Sequence, residues 1–133
     1  MGRCALVLGG SAVAVAAVDL AHKAAAGGAP FHARSAGYVG IVLVLSLAWS
    51  AAIVVVRSPS MAVGGGILAG GAAGNLTSLA IWPGVPNPLA VSAIAFNLAD
   101  IFVLGGFVLV ARAAIELARR DRGRLSEPLR LTR

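Results

Sequence analysis

The stretch FNLADIFVLGGFVLVARAA, residues 96–114, decides the fold class of this chain. It is apolar over almost all of the ~20 residues that a helix needs to cross the hydrocarbon layer of a membrane. Near its start, however, it carries Asn97 and Asp100, three positions apart and therefore on one face of a helix. Because a carboxylate inside a membrane segment is costly, such acids are rare and mark functional sites. The stretch predicts a transmembrane helix with a functional aspartate about two turns inside its outer end.

Three more apolar runs precede this one, and none of the four alternates with the period of two that a membrane barrel needs. The chain has 133 residues, 59% of them hydrophobic and 12% charged, which is about half the charged fraction of a soluble domain. We therefore predict an all-α fold, an integral membrane four-helix bundle. The predicted helices lie at about 4–22, 38–56, 61–82 and 93–117, in a transmembrane domain 1–118 followed by a basic tail 119–133.

The distribution of charge predicts the orientation of the bundle. The net charge is +6, and seven arginines lie between Arg112 and Arg133. With both termini in the cytoplasm, nine basic residues are cytoplasmic and only Lys23 and Arg34 are outside, as the positive-inside rule requires. This clustering indicates a cytoplasmic tail, so we expect no nucleic-acid partner. One cysteine excludes a disulfide framework and a cysteine-based zinc site, and no metal or cofactor is expected.

Polar residues are concentrated at the predicted outer ends of helices one, three and four. They are Asp19, Lys23, Asn75, Ser78, Asn97 and Asp100. Asp19 and Lys23 have the i,i+4 spacing of a helical ion pair. A cluster at a single depth does not suit a channel, which needs a polar path through the whole membrane. An N-terminal arginine, an apolar run and small residues are also typical of a signal peptide, which is the alternative interpretation of the first helix.

Helix three carries Gly66, Gly70 and Gly74 at i,i+4 spacing. Small residues in this pattern allow helices in membranes to approach closely. We expect this glycine face to pack tightly against a neighbouring helix.

Three of these motifs resemble the signal peptidase II family, the lipoprotein signal peptidases. Asp19-Leu-Ala-His-Lys23 is similar to the family's D-x-x-x-K, and Gly70-Gly-Ala-Ala-Gly-Asn75 to its G-G-x-x-G-N. Phe96-Asn97-Leu-Ala-Asp100 is similar to its F-N-x-A-D. The resemblance implies a four-helix aspartic endopeptidase that removes signal peptides from prolipoproteins at the outer face of the bacterial plasma membrane. Asp100 would be the second aspartate of its catalytic dyad.

The chain departs from the family at the position of the first catalytic aspartate, where Asn87 stands. Ser78 and Leu79 replace the usual Asp-Arg pair, and His32, Arg34 and Ser35 occupy a short outer loop. Aspartic proteolysis needs two carboxylates that share one proton, and an asparagine amide cannot act as the base. Asp19 could supply a second acid, although an ion pair with Lys23 would hold it. Serine–lysine or serine–histidine sites built from Ser35, Ser78, Lys23 or His22 have no spacing signature.

Two functions therefore stay open, with a weaker third. The chain is either a divergent signal peptidase II, catalytically impaired at Asn87, or a non-catalytic binding protein that keeps the groove. The expected partners are a lipid-modified prolipoprotein or its signal helix, or membrane lipid. The third hypothesis is a small four-helix transporter with Asp19 or Asp100 as its proton-linked acid. The position of both acids near the outer surface argues against it. The predicted location is the bacterial plasma membrane, multi-pass, with the site near the extracytoplasmic face.

Overall fold

The computed structural model describes residues 2–56 and 58–125. Within these residues the chain is mostly helical, with four helices, as predicted. They are α1 (Gly2–Ala25), α2 (Ala36–Val56), α3 (Pro59–Ile81) and α4 (Leu98–Leu125). Arg57 and residues 126–133 of the predicted basic tail lie outside the described residues.

Two small sheets at one end of the bundle correct the all-α prediction. Strand β1 (Phe31–His32) pairs antiparallel with β2 (Val85–Pro86), and β3 (Leu89–Val91) pairs antiparallel with β4 (Ile94–Phe96). The second pair is a hairpin whose turn places Ser92 at a φ of 55°. Residues 93–97 therefore do not begin the fourth helix, which starts at Leu98.

The other end of α4 also differs from the predicted boundary. The helix runs through position 118 and continues to Leu125, so the first part of the predicted tail is a direct extension of the last helix. A helix of this length measures about 42 Å, which is longer than the ~30 Å hydrocarbon layer of a membrane.

Helix α3 is the centre of the bundle because its glycines let backbones approach from both sides. A Cβ atom on Gly70 would lie 2.5 Å from the carbonyl oxygen of Ala12 in α1. On the opposite side, one on Gly71 would lie 2.6 Å from the carbonyl oxygen of Ala99 in α4. The expected close packing of the glycine face is confirmed, and α1 is the helix that packs on it. Near the C-terminal end of α2, the buried Ile53 covers Gly65 of α3.

Two helical segments, Gly2–Ala25 and Leu98–Asp121, are long and apolar enough to cross a membrane. Segment Gly37–Ile53 of α2 is a shorter apolar helix. Many large apolar side chains are exposed on the outside of the bundle, among them Leu6, Ile41, Leu47 and Leu104. The interior, by contrast, holds glycine, alanine and a group of polar side chains.

Candidate functional site

Lys23 is the hub of the polar cluster that joins α1 and α3. Its Nζ atom donates to Asp19 Oδ2 at 2.6 Å, to Asn75 Oδ1 at 2.8 Å and to Ser78 Oγ at 3.0 Å. An ammonium group has three protons and no acceptor. All three protons are thus used inside the bundle, where Lys23 is 3% exposed.

Both carboxylate oxygens of the buried Asp19 accept a hydrogen bond. While Oδ2 accepts from Lys23, Oδ1 accepts from the backbone nitrogen of Ala99 at 2.9 Å. Ala99 is the second residue of α4, whose first backbone N–H groups have no partner within the helix. The aspartate of α1 therefore caps α4, at the end where a helix favours negative charge.

Asn75 carries the network from α1 to α4. Because Lys23 can only donate, the atom of Asn75 that faces it is the amide oxygen. The amide nitrogen of Asn75 then donates to Asp100 Oδ1 at 3.1 Å. One asparagine on α3 thus lies between the lysine of α1 and the aspartate of α4.

Asn97 and Asp100 form a reciprocal cap at the start of α4. The backbone nitrogen of Asp100 donates to Asn97 Oδ1 at 3.2 Å, and that of Asn97 donates to Asp100 Oδ2 at 3.1 Å. This is the arrangement of a capping box, with Asn97 as N-cap. The prediction that Asp100 lies two turns inside the helix is wrong, since it lies in the first turn. The N-x-x-D spacing therefore has a structural role in starting α4.

Asn87, in the place of the family's first aspartate, is 3% exposed and bound on both sides of its amide. Its Oδ1 accepts from Asn97 Nδ2 at 2.7 Å, and its Nδ2 donates to the carbonyl oxygen of Ala95 at 3.2 Å. Nδ2 also lies 3.1 Å from Nδ1 of His32 on β1. Asn97 Nδ2 also donates to the carbonyl oxygen of Pro86 at 3.3 Å.

Backbone carbonyl oxygens fix the orientation of the side-chain amides of Asn87 and Asn97, here called the amide chain. A carbonyl oxygen can only accept, so the amide nitrogens of Asn87 and Asn97 are the atoms that face Ala95 and Pro86. The nitrogen of Asn87 consequently presents a proton to His32 Nδ1, which must accept it. This hydrogen bond therefore forms with the form of the His32 ring whose Nδ1 carries no proton.

His32 is a site residue that sequence reasoning assigned only to a short loop. It reaches the network because β1 pairs with β2, next to Asn87. A two-residue strand carries no periodic pattern, so no sequence signal predicts this pairing.

A cavity of about 420 Å³ opens between α2, α3 and α4. Its walls are mainly apolar, with Trp49, Leu68 and Phe107 among them, and Asn75 and Asp100 contribute polar atoms. Among the described residues that line it, Asp100 is the single carboxylate, and Asn87 is not part of the lining. Tyr38 lines it too, with the guanidinium of Arg34 4.9 Å from the centre of its ring.

The geometry limits the chemistry available to this site. Asp19 has no exposed surface and both its oxygens are engaged, so it cannot act as a second acid beside Asp100. Ser78 is close to Lys23 but fully buried, and a lysine with three donated protons cannot act as its base. What remains is one carboxylate at the edge of an apolar cavity. In the part of the chain that the structure describes, no cluster of three metal-binding side chains accompanies it.

Comparison of the chain with protein-family models, with curated proteins and with solved structures finds no match.

Proposed function

We propose that this chain is a signal peptidase II-like membrane protein whose groove binds a lipid-modified signal segment without cleaving it. The groove is the cavity between α2, α3 and α4. The observation that carries the proposal is the combination of this apolar cavity with a single carboxylate, Asp100, at its edge.

The distribution of polarity supports a place in the membrane. Apolar side chains cover the outside of the helices, while the ion pair of Asp19 and Lys23 is fully buried. This is the pattern expected when lipid is the solvent, because charged groups then turn inward and pair with each other. We infer that the helices cross the plasma membrane with both termini in the cytoplasm. The two sheets and the edge of the groove then lie at the extracytoplasmic face.

The contacts of the buried ion pair support a first helix that stays part of the folded protein, and they argue against a signal peptide that is cleaved off. Asp19 and Lys23 of α1 cap α4 and hold Asn75 and Ser78 of α3. Removal of α1 would leave these buried polar groups without partners, at a cost of about 1–3 kcal/mol each.

The hydrogen bonds and the position of Asn87 support the proposal that the protein does not cleave its ligand. Both of its amide atoms are engaged by neighbours, and it does not line the groove. Among the described residues that line the groove, Asp100 has no partner acid with which to share a proton, so they offer no carboxylate pair to activate water.

The test is a paired measurement on the full chain in lipid nanodiscs. A fluorescent peptide with a diacylglyceryl-modified cysteine and its signal segment should bind, and should remain uncut. Val42→Trp, which fills the groove from α2, should weaken binding at least about tenfold. Val44→Trp, on the exposed side of the same helix, is the matched control and should bind like the parent.

Cleavage of the peptide by the parent protein would refute the non-catalytic assignment. Equal binding by the two tryptophan variants would mean that the ligand does not occupy this groove.

A further inference from the structure

Among the residues that the structure describes, no cationic side chain forms an ion pair with Asp100. The ion pairs in the described residues join Lys23 to Asp19 and Arg112 to Glu116, and neither includes Asp100. Lys23, the closest base in the network, is separated from Asp100 by the amide of Asn75 and has no proton left to give. Arg34 stacks on the ring of Tyr38 instead.

The hydrogen bonds that Asp100 does receive leave part of its acceptor capacity free. Oδ1 accepts from Asn75 and Oδ2 from the backbone of Asn97, whereas an ionised carboxylate offers about four acceptor positions. Since Asp100 lines the cavity, an occupant of the groove can reach it. Its preferred occupant carries a hydrogen-bond donor, and a positive charge strengthens that bond about twofold.

The groove places this carboxylate at one end of an apolar channel. Asp100 lies in the first turn of α4, and Phe107 lines the same cavity seven residues further along the helix, about 10 Å deeper. Trp49 and Leu68 line the cavity from α2 and α3. A ligand that fills it therefore has a polar head against Asp100 and an apolar chain beside the three helices.

We propose that the groove selects a primary ammonium attached to an acyl-bearing chain, with Asp100 as its counter-ion. This inference rests on the proposed function and extends it: the groove that admits a lipid-modified signal segment binds more tightly the lipid-modified cysteine that is left once the segment has been removed. A lipid-modified cysteine that still carries its signal segment offers a neutral amide N–H at its nitrogen. Once that segment has been removed, the same nitrogen is a free N-terminal ammonium. The groove thus retains the product of signal-peptide removal in preference to the uncut precursor.

The experiment compares two ligands that differ at one nitrogen. Both are short peptides that begin with a diacylglyceryl-modified cysteine, one with a free amino terminus and one N-acetylated. Binding to the full chain in nanodiscs should favour the free amine by about tenfold, the effect of about 1.4 kcal/mol. Asp100→Asn should remove this preference and leave the affinity for the acetylated ligand close to that of the parent.

Asp121→Asn is the matched control, because it makes the same exchange on the same helix at an exposed carboxylate that does not line the groove. This variant should keep the preference for the free amine. The ratio of the two affinities in the parent protein needs no variant, so it decides the question even if Asp100→Asn fails to fold.

The outcomes of this experiment distinguish the ammonium preference from the proposed function on which it rests. Equal affinities for the two ligands would overturn the ammonium preference while leaving the groove as a binding site. A preference that survives in Asp100→Asn would overturn the role of Asp100. If neither these ligands nor the uncut signal peptide bind, the proposed function itself fails.

Discussion

Oδ1 of Asp19 in α1 lies 2.9 Å from the backbone nitrogen of Ala99 in the first turn of α4. With Lys23 held on Oδ2, one carboxylate links the first helix to the last at the level of the candidate site. Asp19 and Lys23, predicted to line the site as an ion pair, thus have a structural role. They position the start of α4, and with it Asp100.

Loss of Lys23 should destabilise the protein strongly. Lys23→Met leaves Asp19 as a buried charge without its partner, and we expect a loss of about 3–5 kcal/mol in unfolding free energy. Arg112→Met is the matched control, since Arg112 and Glu116 form an exposed pair with the same i,i+4 spacing and should contribute under about 0.5 kcal/mol. Thermal unfolding in detergent measures both. Similar losses in the two variants would show that the buried pair does not anchor the fold.

Asn97 should contribute more to the free energy of unfolding than an ordinary helix cap does. Asn97→Ala removes the cap of α4 and the donor to Asn87 and Pro86, so we expect a loss of about 3 kcal/mol. Ser58 caps α3 through a single bond to the nitrogen of Met61, and Ser58→Ala should cost about 1 kcal/mol. The difference between the two midpoints of unfolding is the quantity to measure. Equal costs would mean that the amide network adds nothing to the cap.

Restoring an aspartate at position 87 should cost stability and yield at most trace proteolysis. In Asn87→Asp, a carboxylate oxygen would face the carbonyl oxygen of Ala95, where the parent has a donor. We expect a loss of about 1–3 kcal/mol at neutral pH, decreasing as the pH falls and the new acid takes up a proton. Unfolding against pH and a cleavage assay test this together. Robust cleavage, abolished by adding Asp100→Asn, would contradict it.

Substitution by alanine should have opposite effects on stability at Gly105 and Gly106, which are adjacent in α4. A Cβ atom on Gly106 would lie 2.5 Å from the backbone nitrogen of Leu68, whereas one on Gly105 meets nothing within 4 Å. Gly106→Ala should therefore cost about 1–3 kcal/mol through overpacking. Gly105→Ala should be neutral or stabilising by up to about 1 kcal/mol, since alanine is the better helix former. A loss in the Gly105 variant as large as in the Gly106 variant would argue against the α3–α4 packing described above.

Two serines at opposite ends of the bundle test the orientation in the membrane. With Cys4 replaced by alanine, a cysteine at Ser92 in the hairpin turn should react with a membrane-impermeant maleimide in intact cells. A cysteine at Ser60, at the start of α3, should react only after the cells are opened. Both positions are exposed, so access to the reagent depends on the side of the membrane. The reverse pattern would place the candidate site in the cytoplasm.

The helices could be predicted from sequence because their signals are long and local. Each apolar run is near the length that a membrane crossing requires, and the glycine spacing of α3 predicted close packing. The polar residues at the helix ends were also identified, including the pairing of Asp19 with Lys23. That spacing could not indicate the second bond of Asp19, to Ala99, because the two residues are 80 positions apart.

The hairpin at residues 89–96 was missed because its sequence has no turn signal. Ser92 and Ala93 occupy a turn where glycine, asparagine or aspartate is usual, and the strands contain no polar residue to show a period of two. The apolar run was therefore joined to the helix that follows. As a result, the predicted helix began about five residues too early and Asp100 was placed too deep in it, although its position three residues after Asn97 fits a capping box.

The fixed direction of the amide chain has a consequence for how this site could evolve. Asparagine and aspartate have almost the same shape, and a single nucleotide change interconverts them. At position 87, however, the exchange reverses a donor into an acceptor against both Ala95 and His32. Positions 32 and 87, although 55 residues apart, are thereby coupled: an aspartate at 87 is accommodated best by a side chain at 32 that donates. A histidine ring can donate from Nδ1 when that atom carries the proton, so His32 can answer the exchange by changing its protonated nitrogen, whereas the carbonyl oxygen of Ala95 can only accept.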